Sequence, residues 1–278
     1  MPAHDPDIRN QETAMLPTYE VFAIKYGEHQ RTASANFLGG DPHNGPMPMD
    51  YFVWLIRDAS RVWVVDAGFD ADEARARGRK LVHPMRDAMK LMDVDVDSVR
   101  ELIVTHMHYD HVGNLAAYPN AIFHLQDREM EFATGRYMTH RCIAESFNLR
   151  DVLQMVEQVY RGRVRFHDGD AEIAPGITVH RVGGHTQGLQ VVRVHTARGW
   201  VVLASDATHY YRNMDEGRPF PAVFNVGEML EGHRRLDALA DTHAHIVPGH
   251  DPQVLLRYPP PRPELAGQVA VLHVPPRE

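Results

Sequence analysis

"VTHMHYDHVGN", residues 104–114, ends an apolar run, Leu102-Ile103-Val104, with three histidines and an aspartate inside six positions: His106, His108, Asp110 and His111. Burying so many imidazoles beside a carboxylate is costly unless one partner satisfies them all. A metal ion is such a partner. Imidazole nitrogen and carboxylate oxygen suit a borderline divalent ion, zinc first, with manganese, iron or cobalt also tolerated.

Three further polar positions sit in turns at the ends of apolar runs: His185 in GGHTQG, Asp206 in LASDATHYY and His250 in VPGHD. Such ends hold side chains at the rim of a sheet, where loops leave room for a substrate. The candidate donors are therefore His106, His108, Asp110, His111, His185, Asp206 and His250. A closed structural site uses four, so the surplus predicts two metal ions with Asp206 as a bridge. In H-x-H an extended spacing aims both rings the same way, whereas Asp110 and His111, past the turn of the chain, face a neighbouring position.

The rest of the chain alternates between two periodicities. Residues 19–27, 51–58, 61–69 and 121–126 read as strands, with Asp58-Ala59-Ser60 as a tight hairpin connection. Helical spacing runs from Ala71 to about Met92 with a break at Pro84, and a long helical stretch reaches about Tyr160. Strands and turns return over VRFHDGDAEIAPGITVHRVGGH and LQVVRVHTARGWVVLASDA. Strands alternating with helices predict an α/β class. VWVVDAG (62–68) and WVVLASDA (200–207) echo each other, each an apolar strand ending in Asp and small residues. No linker divides the chain, which reads as one domain over 1–278. A polar leader covers about 1–18 and a proline-rich tail about 257–278, where VAVLHV suits an added edge strand.

Composition narrows the function classes. The 278 residues are 44% hydrophobic, enough for a substantial core, and the formal net charge is -8. Without a long Lys/Arg run, that balance argues against nucleic acid or an anionic membrane as partner, though it is silent about a local basic patch. Cys142 is the only cysteine, which excludes a disulfide framework, a cysteine zinc finger and a vicinal redox pair. No secretory h-region and no run of membrane-spanning length occurs, so a cytoplasmic, soluble protein is expected. Signatures of serine hydrolases (G-x-S-x-G), dinucleotide folds (G-x-G-x-x-G) and P-loops are missing.

T-H-M-H-Y-D-H resembles the H-x-H-x-D-H signature of the metallo-β-lactamase superfamily, and VVDAG, the Gly-flanked His185, SDA and PGH resemble its other ordered motifs, from roughly Tyr19 to Asp251. The resemblance implies a four-layer αβ/βα sandwich. It also implies His106, His108 and His185 on one ion, Asp110, His111 and His250 on the other, Asp206 between them, and Asp66 in support from behind. Within the superfamily the chain is most similar to N-acyl homoserine lactonases, through VDVDSVRELIVTHMHYDHVGN, YPNAIFHLQDREMEF and SDA. That similarity implies two zinc ions, a small-molecule lactone substrate, a homodimer, and quorum-quenching chemistry. Bridging hydroxide would attack the lactone carbonyl and Asp110 would return a proton to the leaving alkoxide.

One position departs from the pattern. Such lactonases place a tyrosine three residues after the bridging aspartate to hydrogen-bond the substrate carbonyl, and here His209 stands there. Either His209 donates that bond, or Tyr210 or Tyr211 turns inward. Phe37, Leu38, Met47 and Met49 either line an acyl pocket or, the preferred reading, pack the early loop. Alternative functions are hydrolysis of another lactone or ester, a glyoxalase II-like thioesterase, and a mononuclear iron dioxygenase of the persulfide type.

Overall fold

Alternation along the apolar strands sets the layers. The computed structural model describes residues 16–277; most of the expected polar leader lies outside the described residues. The first sheet holds β1 (Glu20–His29), β2 (Met49–Arg57), β3 (Val62–Val65), the short β4 (Lys80–Leu81), β5 (Glu101–Ile103), β6 (Ile122–Gln126) and β7 (Val164–His167). The second holds β8 (Ala171–Ala174), β9 (Ile177–Arg181), β10 (Gln190–Thr196), β11 (Gly199–Ser205) and β12 (Ile246–Pro248). β13 (Val269–Val271) returns to the edge of the first sheet beside β1, with Val271 opposite Phe22, as the tail pattern predicts.

β2 is buried on both faces. Met49, Tyr51, Val53 and Leu55 enter one core, and Phe52, Trp54 and Ile56 enter the other, as the two-residue period of a strand requires. The second group meets Val192, Val194, Val201 and Leu203 between the sheets. Trp54 is fully buried there, and its truncation to Ala would cost about 3–5 kcal/mol. Helices Met85–Lys90, Asp127–Thr134 and Leu149–Tyr160 cover the outside of the first sheet through Met89, Phe132 and Met155. Helix Val226–Leu239 seats Leu236 against Val191, Val202 and Ala204 outside the second. Helix, sheet, sheet, helix is the four-layer αβ/βα sandwich expected from the sequence.

Two helical expectations are corrected. Between helices Ala71–Ala76 and Met85–Lys90 the chain makes the short strand β4, paired with the end of β1 as Glu28 opposite Lys80. Gly78, at φ +64°, turns the chain out of the first helix, a conformation that costs glycine least. The stretch reaching Tyr160 is several helices, since Asp127–Thr134 stops at Gly135 and the Asn148 side chain caps Leu149–Tyr160 by accepting from the Arg150 amide. The hairpin after β2 holds as read: the Asp58 carboxylate accepts from the Ser60 and Arg61 amides. No helix among the described residues is long and apolar enough to cross a membrane.

The connections gather the chemistry at one end. β3, β5 and β6 run parallel, as do β11 and β12, so the segments that follow them leave from the same edge. In sheets of this kind, ligands bind beyond the carboxyl ends of the strands.

Candidate metal centre

Backbone placement brings the donors together. Past β5 the chain carries His106 and His108 in extended form, then turns into the single helical turn Tyr109–Val112 that bears Asp110 and His111. His185 follows β9, Asp206 follows β11 and His250 follows β12. Two donor groups result: His106, His108, His185 and Asp206, and Asp110, His111 and His250, each with its donor atoms within 4.8 Å of one another and all side chains buried. Asp206 lies between the groups, with Oδ2 3.1 Å from His185 Nε2 and Oδ1 2.9 Å from His250 Nε2 and 3.5 Å from His111 Nε2. Asp206, His209 and His250 form a third set, which takes Asp206 from the first and His250 from the second and adds His209.

The donor chemistry fits divalent ions. Nε2 of His106 and Nε2 of His111 are buried with no hydrogen-bond partner, and an unsatisfied buried nitrogen costs about 1–3 kcal/mol unless something else occupies it. Meanwhile Nδ1 of His111 donates to Asp66, at 2.7 Å, and Nδ1 of His250 donates to the Asp50 carbonyl, at 2.9 Å. Those bonds orient the two rings so that Nε2 of each faces the cluster, where an ion would take its lone pair. Burial disfavours charge on Asp206, but His209, His250, His111 and His185 outweigh it and hold the carboxyl well below the usual range. Burial likewise opposes the His111 cation, yet Asp110, Asp66 and Asp206 raise that imidazole well above its ordinary value.

Asp66 stands where the sequence reading puts it, at the end of β3 with φ +65°. Besides His111 it accepts from the Thr105 amide and hydroxyl, each at 2.8 Å. The Thr105 hydroxyl also lies 2.9 Å from that of Ser205, itself at φ +45°. The two echoed strand ends thus meet at Thr105. Non-glycine residues held in this region carry strain, of the order of 1–3 kcal/mol each, that the surrounding bonds must outweigh.

Glu129 has no counterpart in the sequence reading. Its fully buried carboxylate accepts from the Met107 amide (2.8 Å), the Thr186 hydroxyl (2.6 Å) and the Gly188 amide (3.1 Å), tying the His106–His108 segment to the His185 turn. Gly188 passes so close that a Cβ would lie 2.1 Å from the Glu129 amide nitrogen. Only the composition of QDREMEF hinted at it. Tyr26, which donates to the Asp110 carbonyl at 2.7 Å, was equally silent.

His209 is buried in the cavity wall, stacked on Phe220 at 3.8 Å, with Nε2 3.1 Å from Asp206 Oδ2. Burial pushes this imidazole down to about 3, against the opposing pull of Asp206. Its other ring nitrogen, Nδ1, is buried without a hydrogen-bond partner. Its neighbours do not turn inward. The Tyr210 hydroxyl faces Asn36 and the Pro48 carbonyl, and Tyr211 packs beneath Arg257.

A cavity of about 470 Å³ opens over the donors, lined also by Tyr51, Tyr109, Phe220, Arg31, Arg77 and Arg79. The phenols of Tyr51 and Tyr109 lie 3.1 Å apart, and Tyr51 packs edge-on against His250. Of the early-loop candidates only Met49 reaches the cavity. Phe37 is buried beneath Arg212 and Arg218, Leu38 is exposed and Met47 packs against the core, so loop packing explains them.

The family model described as the metallo-beta-lactamase superfamily matches residues 47–250. A probable metallo-hydrolase from Mycobacterium tuberculosis is 25% identical over 232 residues, covering 73% of this chain and 72% of that protein. An N-acyl homoserine lactonase from Bacillus thuringiensis is 28% identical over 167 residues, covering 59% of this chain and 60% of its own. The crystal structure of a quorum-quenching N-acyl homoserine lactone lactonase superposes with a TM-score of 0.71 at 22% identity, over 85% of this chain and 94% of that one.

Proposed function

This chain belongs to the metallo-β-lactamase superfamily, and from that premise we propose a dinuclear hydrolase that opens a lactone ring, N-acyl homoserine lactone being the first substrate to test. The observation that carries the reading is the convergence of seven donors on Asp206 with the Nε2 atoms of His106 and His111 left without protein partners. His106, His108 and His185 would hold one ion, Asp110, His111 and His250 the other, and Asp206 both. Two divalent ions, zinc first, supply Lewis acidity and a water ionised near neutral pH. The completeness of the second set, Asp110, His111 and His250, favours two ions over the single iron of a persulfide-type dioxygenase.

The chain's own groups then have separate tasks. Asp110 lines the cavity, with Oδ2 3.7 Å from His250 Nε2, where it can pass a proton to a leaving alkoxide. His209 lines the cavity with Nε2 3.1 Å from Asp206 Oδ2, where it can steady that carboxylate or donate to a substrate carbonyl. In the Tyr51–Tyr109 pair one hydroxyl donates to the other, which leaves one O–H free to donate to a developing oxyanion. The test is a panel of lactones, thioesters and phosphodiesters assayed with zinc-loaded protein. Lactones should give the highest kcat/KM; a thioester preferred over every lactone would replace this reading with the glyoxalase II-like one.

A further inference from the structure

The wall of the cavity opposite the histidines is cationic, which the net charge of -8 does not suggest. β4 is the cause. By pairing with the end of β1 it lays Arg79 beside His29, and Arg79 Nη1 lies 3.1 Å from His29 Nε2. Arg31 follows two residues later on the same strand exit. Burial together with Arg79 and Arg31 pushes the His29 imidazole down to about 4, so it stays neutral and serves as acceptor to the guanidinium.

Aromatic rings connect each guanidinium to the site, Phe220 for Arg31 and Tyr109 with Tyr51 for Arg79. Arg31 Cζ lies 5.0 Å from the centre of the Phe220 ring, whose stacking partner is His209. Arg79 Nε donates to the Tyr109 hydroxyl at 3.2 Å, and Tyr109 is linked to Tyr51, which packs on His250. Neither arginine has a carboxylate within ion-pair distance among the described residues, whereas Arg77 on the same wall is paired with Glu73. Glu145 at the rim is exposed and bonds to neither. The other contacts of Arg31, to the Asn36 side chain and the Ala35 carbonyl, and of Arg79, to the Arg77 carbonyl, are neutral; they aim the guanidiniums without neutralising them. Two half-buried cations lacking a counter-charge beside a reaction cavity are costly to keep unless a ligand supplies it.

We infer that Arg31 and Arg79 form an anion subsite, and that the substrate carries a carboxylate on its non-reacting end, held there while its ester or lactone bond lies over the donor cluster. The inference rests on the hydrolase reading for the reacting end alone. A neutral acyl chain would leave both guanidiniums unpaired; a carboxylate accepts from each in charge-assisted bonds.

The test has two arms, both on zinc-loaded protein. In the first, a γ-lactone bearing a side-chain carboxylate is compared with its carboxamide. In the second, calorimetry compares dicarboxylates of five to seven carbons with monocarboxylates of equal length. Wild type should prefer the charged lactone by about ten-fold or more, chiefly in KM, and bind the dicarboxylates more tightly by a similar factor. Both preferences should collapse in Arg31→Met and Arg79→Met and partly return in Arg79→Lys, which also separates charge from any loosening of the loop. No preference in wild type, or one that survives both Met variants, overturns the inference. Turnover of neither lactone alongside an intact dicarboxylate preference overturns the lactone reading and leaves the subsite standing.

Discussion

The two walls of the cavity are built in opposite ways. On the donor wall the polar side chains are buried, and many are held from behind: Asp66 and Thr105 behind His111, Glu129 behind the His106 and His185 segments, the Asp50 carbonyl behind His250. On the other wall Arg31 and Arg79 are half-buried and held by neutral partners, with their charge left available. The difference teaches where chemistry and recognition part company: the wall that must keep atoms within tenths of an ångström is over-determined, while the wall that meets a substrate keeps unspent hydrogen-bonding capacity.

The harshest way to break this contrast is Asp206→Ala. It removes the atom group between both donor sets, so metal content should fall for both sites and hydrolysis should drop to background, read by elemental analysis and turnover together. Glu129→Ala comes next. Losing one carboxylate strands two amides and a hydroxyl, so metal affinity should fall by roughly 10- to 100-fold. The preference for a charged substrate should persist, because Glu129 touches neither arginine. His209→Phe keeps the stack on Phe220 but deletes the ring nitrogen that lies 3.1 Å from Asp206; kcat should fall by about ten-fold while KM moves little, and wild-type kcat would remove His209 from the working site.

The smallest effect sharpens the other wall. Because the pKa of folded His29 is depressed from 6.5 to about 4, its neutral form contributes stability that is present above pH 6.5 and is lost as pH falls toward 4. Its imidazole resonances should titrate near pH 4, and Arg79→Met should move that midpoint up by removing one of the facing cations. A midpoint indifferent to Arg79 would separate the two side chains.

How legible each wall was follows from the same contrast. The donor wall draws on a local signature, H-x-H-x-D-H, and on polar residues that punctuate apolar strands, so its donors could be read directly. The sandwich and the supporting Asp66 came through the family resemblance that those motifs carry. The arginine wall depends on β4, a two-residue strand inside a stretch of helical spacing, where propensity cannot announce a pairing made by tertiary contact. Tyr51 sits in an alternating strand as an ordinary core aromatic, and Glu129 as an ordinary helix acid; only packing reveals that one meets His250 and the other two ligand segments. His209 was singled out by the lactonase pattern it departs from, but its stack on Phe220 is a contact that only folding supplies.

Elemental analysis of zinc-loaded, gel-filtered protein bears on the shared bridge at Asp206 before any substrate is chosen. Two ions per chain, lost together in Asp206→Ala, is the predicted outcome; a ceiling of one ion per chain at saturating metal would contradict it.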